Sequence, residues 1–544
     1  METDRSNGNR SFQWKEIIPM DGDHSNGKDV PHNHTKRKVI LMKAASIRKA
    51  FALFIATAAV FATASCASPQ TPGSDGSSGN SQRENSEASG SNETGSNPES
   101  NPLTGNAQSQ IQSRGNFAEA HDAFTTTLVR EENDTDAIPA PPEGLFDLVS
   151  FPSKVGDLAA YVSSDPGDGQ KHPIIIWVVG GWGNGIDDFP WCYPEWDNDQ
   201  TGSAFWQAGL LTMYPSFRGG NGNPGHYEAL FGEVDDIVSA YEYAASLPYV
   251  DPDRIYLGGH STGGTRALLA SEYTDKFRAV FCFGAVDEIK YHNNSQFTFD
   301  TENEEEHIMR SPIYWLENIK SPTFLIEGRD GNSSCLERME AATQNENFHC
   351  YVIDDADHFS VLAPVTRMLA QKILADTGAE PNISITQEEL DAAMVQEPAI
   401  PVPVMTRRTL TDPQMTFSCP YLWEITENSE STGLIARSRY NDDTPWDTAI
   451  LFIDSYSLDE ISDLNALKSS METAGFHVAD ITVSGKPAID ASVAFQDDDG
   501  TPYYQRYVVI QEDSCYLNLN FFTYADYAGE SNVLFQSIID SIEF

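Results

Sequence analysis

Positive charge is what this 544-residue chain has least of: 34 Lys and Arg stand against 81 Asp and Glu, a formal net charge of −47. Phosphate backbones are bound by clustered Lys and Arg, so a nucleic-acid partner is excluded. Long apolar runs are scarce too. The charge-free stretch Ala50–Ala64 has fifteen residues, short of the ~20 that a membrane-spanning helix needs. Cysteine is sparse at seven residues, with no metal-ligand spacing among them. No metal and no cofactor are therefore expected. Aromatic residues are not lacking: 28 Phe, 21 Tyr and 9 Trp are too many for a disordered acidic chain. At roughly 100–200 residues per domain, the length implies more than one domain.

The N-terminal region reads as an address. Residues 1–41 form a polar extension, and Met42 is a plausible start. Lys43, Arg48 and Lys49 precede the apolar stretch, which is the charge pattern of a signal peptide over residues 42–65. It ends in Thr63-Ala64-Ser65-Cys66. Small residues before a cysteine resemble the lipobox of bacterial lipoproteins, which implies lipid attachment at Cys66 and a location on the outer face of the cell membrane. Thr63 departs from the aliphatic residue usual there. Residues 66–115 are rich in Ser, Gly and Asn and cannot bury enough surface to offset their ordering entropy, so they read as a tether.

Six cysteines remain after Cys66. In an exported protein, Cys335–Cys350 and Cys419–Cys515 are possible disulfides, each within one domain. Buried free thiols are the alternative.

Residues 116–379 alternate strands and helices. Pro173–Gly181 is a continuous apolar run bounded by turn residues, the pattern of a strand buried on both faces. Arg254–Gly259 reads as a strand, Thr262–Tyr273 as a helix, and Phe277–Val286 and Pro322–Gly328 as further strands. This is an α/β fold with a mostly parallel sheet and helices on both faces, which places chemistry at the carboxyl ends of the strands.

Gly259-His260-Ser261-Thr262-Gly263 follows a strand and opens a helix, the setting in which G-x-S-x-G lifts a serine above the sheet. Ser261 is the candidate nucleophile, and the Thr262 N–H faces an oxyanion. A serine needs a base. His358 lies after the last strand, where such a base belongs. Gly180-Gly181-Trp182-Gly183 follows an earlier strand, and the Trp182 N–H is the second oxyanion candidate. Trp182, Trp191, Tyr193 and Trp196 are candidate pocket walls, and Arg218 is read as structural. The acid should follow Thr323-Phe324-Leu325-Ile326-Glu327-Gly328. Asp330 stands there, with Asp287 as the alternative acid.

Several segments together resemble the catalytic domain of the prolyl oligopeptidase family over roughly residues 140–378. They are Arg218-Gly219-Gly220, Gly232-Glu233, Tyr249-Val250-Asp251-Pro252-Asp253-Arg254-Ile255, the serine elbow, and Ser311-Pro312-Ile313-Tyr314 with Ile319-Lys320-Ser321-Pro322. The resemblance implies an α/β-hydrolase fold, serine peptidase or esterase activity, Ser261 as nucleophile and His358 as base. The family's Gly-x-x-Asp departs here, because Gly328-Arg329-Asp330 brings the acid one position early. The family's gating propeller does not appear ahead of the domain, so a freely accessible site is expected.

Residues 380–415 read as a linker with one short helix, Gln387–Met394, and residues 416–544 as a smaller α+β domain with an antiparallel sheet. In strand–helix order and in the closing Phe535…Ile538-Ile539…Ile542, the latter vaguely resembles PsbP-like modules. It carries no catalytic set, so it reads as a binding or docking domain. Asp497-Asp498-Asp499-Gly500 lacks the distal ligands of a calcium loop and reads as a hairpin turn. The expected activity is a lipid-anchored serine hydrolase that cleaves small peptides or esters through an acyl-enzyme. The alternative is a non-catalytic surface binding lipoprotein that retains the hydrolase fold.

Overall fold

The computed structural model describes residues 114–191, 198–291, 294–395, 403–411, 414–421, 423–427, 432–436, 449–458, 461, 463–496 and 500–544. The leader, Cys66, the tether up to residue 113, Cys192, Tyr193, Trp196 and the Asp497-Asp498-Asp499 turn lie outside these residues. Among the described residues no helix is long and apolar enough to cross a membrane.

Eight strands form the first sheet: β1 (Phe146–Ser153), β2 (Gly156–Ser163), β3 (His172–Val178), β4 (Leu211–Pro215), β5 (Val250–His260), β6 (Val280–Phe283), β7 (Thr323–Gly328) and β8 (Phe348–Ile353). Their order is β1-β2-β4-β3-β5-β6-β7-β8. The β1–β2 hairpin is antiparallel and β2 meets β4 antiparallel; every pairing from β4 to β8 is parallel. The apolar run of β3 explains its central place, because successive side chains enter opposite faces. Ile174 and Ile176 join one core with Val234, Ile237 and Leu268. Ile175 and Trp177 join the other with Val365, Leu369 and Leu390. Helices α1 (Glu233–Ser246), α2 (Thr262–Tyr273) and α3 (Ser333–Ala342) cover the first face. Helices α4 (Leu362–Ala375) and α5 (Gln387–Met394) cover the second. Helix α5 has the bounds read from the sequence and starts with a Thr386/Glu389 capping box, but its fully buried Leu390 makes it part of the core rather than of a free linker.

Helix α2 is buried on every side from Gly263 to Glu272. Glu272 has neither carboxylate oxygen hydrogen-bonded among the described residues. Burial pushes its pKa well above the usual carboxylate range. The folded state then holds this proton to higher pH than the unfolded chain does, so stability is lost as pH rises above the unfolded carboxyl value. Glu272→Met, which keeps the volume, is expected to add about 1–3 kcal/mol at pH 7. Urea melts at pH 5 and 7 check this, since the gain should be larger at pH 7.

The later region is antiparallel. The strands β9 (Met405–Thr411) and β10 (Gln414–Pro420) pair alone. A seven-stranded sheet follows, from β11 (Trp423–Glu427), β12 (Thr432–Ala436), β13 (Ile450–Ser457), β14 (His477–Val483), β15 (Lys486–Gln496), β16 (Pro502–Gln511) and β17 (Cys515–Tyr524). Its order is β11-β12-β13-β17-β16-β15-β14. Leu451, Ile453, Val508, Leu519 and Phe521 pack one face against Leu534, Phe535 and Ile538 of the last helix, α7 (Ala528–Asp540), after α6 (Leu464–Thr473).

The five described cysteines are free thiols, so neither the Cys335–Cys350 nor the Cys419–Cys515 pair is formed. They behave as small apolar side chains. Cys335 faces the core from α3 and Cys419 is fully buried. Burial pushes their thiols up to about 12 and about 11.

Candidate active site

The chain turns sharply between β5 and α2. Ser261 adopts φ +58° and ψ −120°, a strained conformation for a residue with a Cβ. Its N–H donates to the Phe283 carbonyl at 2.8 Å, which ties the turn to the end of β6. The flanking glycines are required by close approach. A Cβ on Gly259 would stand 2.5 Å from the Gly263 oxygen, and one on Gly263 would stand 2.1 Å from the Val178 oxygen. The spacing of the motif is thus the spacing at which β3, β5 and α2 can touch.

The loop after β3 is bound to this turn. The Thr262 hydroxyl donates to the Gly181 carbonyl. Gly180 passes so close that a Cβ on it would lie 3.1 Å from the Ser261 Cβ. Trp182 is half-buried and packs edge-on against Phe297, ring centroids 5.8 Å apart. Neither the Thr262 nor the Trp182 main-chain N–H is taken by an acceptor among the described residues. Both sit at the same end of the sheet as Ser261, and the α2 N-terminus adds its positive dipole end there.

His358 lies between β8 and α4. Its Nδ1 stands 2.9 Å from Glu327 Oε2. A carboxylate only accepts, so Nδ1 carries the proton and Nε2 is left as the acceptor. Glu327 closes β7 and is fully buried; its other oxygen accepts from the Gly328 N–H at 2.8 Å. His358 is next to the serine turn, for the ring of His260, one residue before Ser261, has its centroid 4.5 Å from that of His358.

The acid expected at Asp330 is therefore corrected. Asp330 is exposed, and what it contributes is a main-chain N–H to the Ala356 carbonyl at 3.0 Å. The alternative, Asp287, is bonded by Arg338 through both oxygens at 2.5 and 3.0 Å. Glu327 went unread because it closes an apolar strand rather than opening the loop behind it. The available signal was a lone charge at the end of a fully buried run.

Other residues singled out in the sequence divide. Trp191 is a core residue, 1% exposed, packed on Tyr161 at 4.8 Å, and not a pocket wall. Arg218 is structural as read: buried, it pairs bidentately with Asp236 and bonds Glu228 at 2.8 Å. Among the described residues, one group, His121, Asp122 and Asp235, has three ligand atoms close enough for a metal. The Lys154 ammonium, 2.8 Å from Asp235 and 3.3 Å from Asp122, already takes the cation's place there.

Residues 197–371, which include Ser261, Glu327 and His358, match the model of the prolyl oligopeptidase family. No curated protein sequence matches the chain. A Mycobacterium tuberculosis puromycin-hydrolyzing peptidase is 19% identical over 43% of this chain and 39% of its own, with a TM-score of 0.36. A Pyrococcus horikoshii acylaminoacyl peptidase is 17% identical over 46% of this chain and 44% of its own, at 0.36. Porphyromonas gingivalis dipeptidyl peptidase 4 is 17% identical over 42% of this chain and 35% of its own, at 0.35. The chain spans about two fifths of the length of the first of these.

Proposed function

We propose that this chain, which carries a prolyl oligopeptidase family domain, is a serine hydrolase acting on peptide or ester bonds through an acyl-enzyme. The observation that carries the reading is the Glu327–His358 hydrogen bond of 2.9 Å beside the strained Ser261 turn. In the proposed cycle Ser261 Oγ attacks the substrate carbonyl while His358 Nε2 takes its proton. Glu327 holds the Nδ1–H and stabilises the imidazolium. The N–H groups of Thr262 and Trp182 receive the oxyanion, and the α2 dipole favours its charge. His358 then returns the proton to the leaving amine or alcohol. A water, deprotonated by the same imidazole, releases the acid and restores Ser261.

The alternative of a non-catalytic binding protein rested on an irregular acid segment. The Glu327–His358 hydrogen bond supplies an acid in its place and so favours the catalytic reading. The high negative charge favours neutral or cationic substrates over anionic ones. We further place the enzyme outside the cell, anchored through Cys66, on the strength of the Lys43–Cys66 leader pattern. The C-terminal module, whose described residues bring together no comparable constellation, is assigned to binding or docking.

One experiment tests activity and anchoring together. A fluorophosphonate should label the wild type in the membrane fraction. Ser261→Ala should abolish the label, and Cys66→Ser should move it to the soluble fraction. No labelling of folded wild type would overturn the hydrolase; a label that stays membrane-bound in Cys66→Ser would overturn the anchor. Turnover of p-nitrophenyl esters against aminoacyl p-nitroanilides then separates esterase from peptidase.

A further inference from the structure

The buried imidazole of His260 has no part in the proposed cycle, yet it lies against it. It is 1% exposed and ends β5 directly before Ser261. Its Nε2 stands 3.0 Å from the main-chain oxygen of His358. A carbonyl only accepts, so His260 carries its proton on Nε2 and donates. Its Nδ1 has no hydrogen-bond partner among the described residues, and the wall there is Gly180, on which a Cβ would come within 3.2 Å of that nitrogen. The ring also meets Phe359, the residue after His358, edge-on at 5.5 Å.

We propose that His260 is a positioning residue for the base: its Nε2–H holds the His358 main chain so that the imidazole stays on Glu327 and beside Ser261. The inference rests on the triad reading above.

The loop carrying His358 is the element that needs such a hold. Asp357 accepts the main-chain N–H groups of Phe359 and Ser360 at 2.9 and 2.8 Å, which shapes the loop internally. The Asp330 N–H to the Ala356 oxygen ties it to the end of β7. Glu327 grips the side chain. The His260 bond is the link from the base's own peptide to the strand that carries the nucleophile. A tether between the two reacting partners fixes their separation, and small misplacements at this point cost rate steeply. The donor must also stay single-protonated. Burial, and then the nearby His358, hold the His260 pKa down to about 3, so the Nε2–H tautomer persists across the working range.

Two amide variants separate the roles of the two ring nitrogens. In His260→Gln the amide nitrogen can reach the Nε2 position and donate. In His260→Asn it stops near the Nδ1 position and cannot reach the carbonyl. The expected result is a kcat about 10- to 50-fold below wild type for His260→Asn, with KM within about twofold, and recovery of most of the loss in His260→Gln. The low-field proton resonance of the His358 Nδ1–H should be kept in wild type and His260→Gln and be shifted or lost in His260→Asn. Equal kcat in all three proteins, or equal loss in both variants, would overturn the proposal. The resonance needs no turnover, so it decides the matter even for a wild type that fails the fluorophosphonate test. That failure would instead sink the hydrolase reading.

Discussion

Glu327→Gln is expected to lower kcat about 10³–10⁴-fold on any ester or amide substrate, while Asp330→Asn leaves it within about twofold. The amide has the shape of the carboxylate it replaces, so the fully buried site needs no repacking. What changes is the proton. Facing Oε2, His358 Nδ1 must donate. Facing an amide N–H, Nδ1 would instead accept and the proton would sit on Nε2, where the serine needs a lone pair. The imidazolium would also lose its counter-charge. Asp330 is exposed and its carboxylate is not on the histidine, so its neutralisation removes nothing the cycle uses. Steady-state rates of the two purified variants, with melts to show that both are folded, decide between them. A rate loss in Asp330→Asn equal to that in Glu327→Gln would return the acid to the loop.

Gly284→Ala should cost more than about 100-fold in kcat and lower the melting temperature by several degrees. Gly284 has φ +61°, and a Cβ there would lie 2.3 Å from His358 Cε1 and 2.7 Å from Glu327 Oε2. Neither neighbour can yield without breaking the bond between them. The glycine is also held by its own main chain: its N–H donates to the Ile326 carbonyl at 3.0 Å, and its oxygen accepts from Asn332 Nδ2 at 3.0 Å. Movement of the alanine backbone is thereby blocked, so the imidazole must move. Gly209→Ala is the control. Gly209 has φ +84° but nothing within 4 Å of the added methyl. It carries the conformational cost alone, about 1 kcal/mol, and should keep full activity. Similar kcat in the two variants would refute the steric argument.

The parts of this molecule that were legible in sequence are those where one local pattern has one structural meaning. The apolar run of β3 can hardly be anything but a doubly buried strand. The serine turn announces itself because two close approaches exclude any side chain at Gly259 and Gly263. His358 follows from its place after the last strand. Glu327 was hard to read for a physical reason: its role is set by the 2.9 Å contact across the sheet end, and apart from its own lone charge its sequence neighbours are those of an ordinary strand. In the later region, β14 offers no clean alternation to read, because its residues are largely half-buried or exposed. Helix α5 was legible with its bounds, Gln387–Met394, but its docking was not, because the prolines around it suggest a linker while Leu390 anchors it to the core. The cysteines paired well on paper, but burial as apolar side chains competes with bridging, and spacing does not reveal which prevails.

The enclosure of α2 has a thermodynamic meaning. The Ser261 backbone stores strain, and the helix that clamps it is buried without interruption from Gly263 to Glu272. Relaxing the turn would require exposing that helix, which is close to opening the whole domain. Ser261 therefore has no cheap local exit, in contrast to residues carried on surface loops that open at small cost. Loss of the proposed activity on heating is therefore expected to coincide with loss of the fold, as one transition.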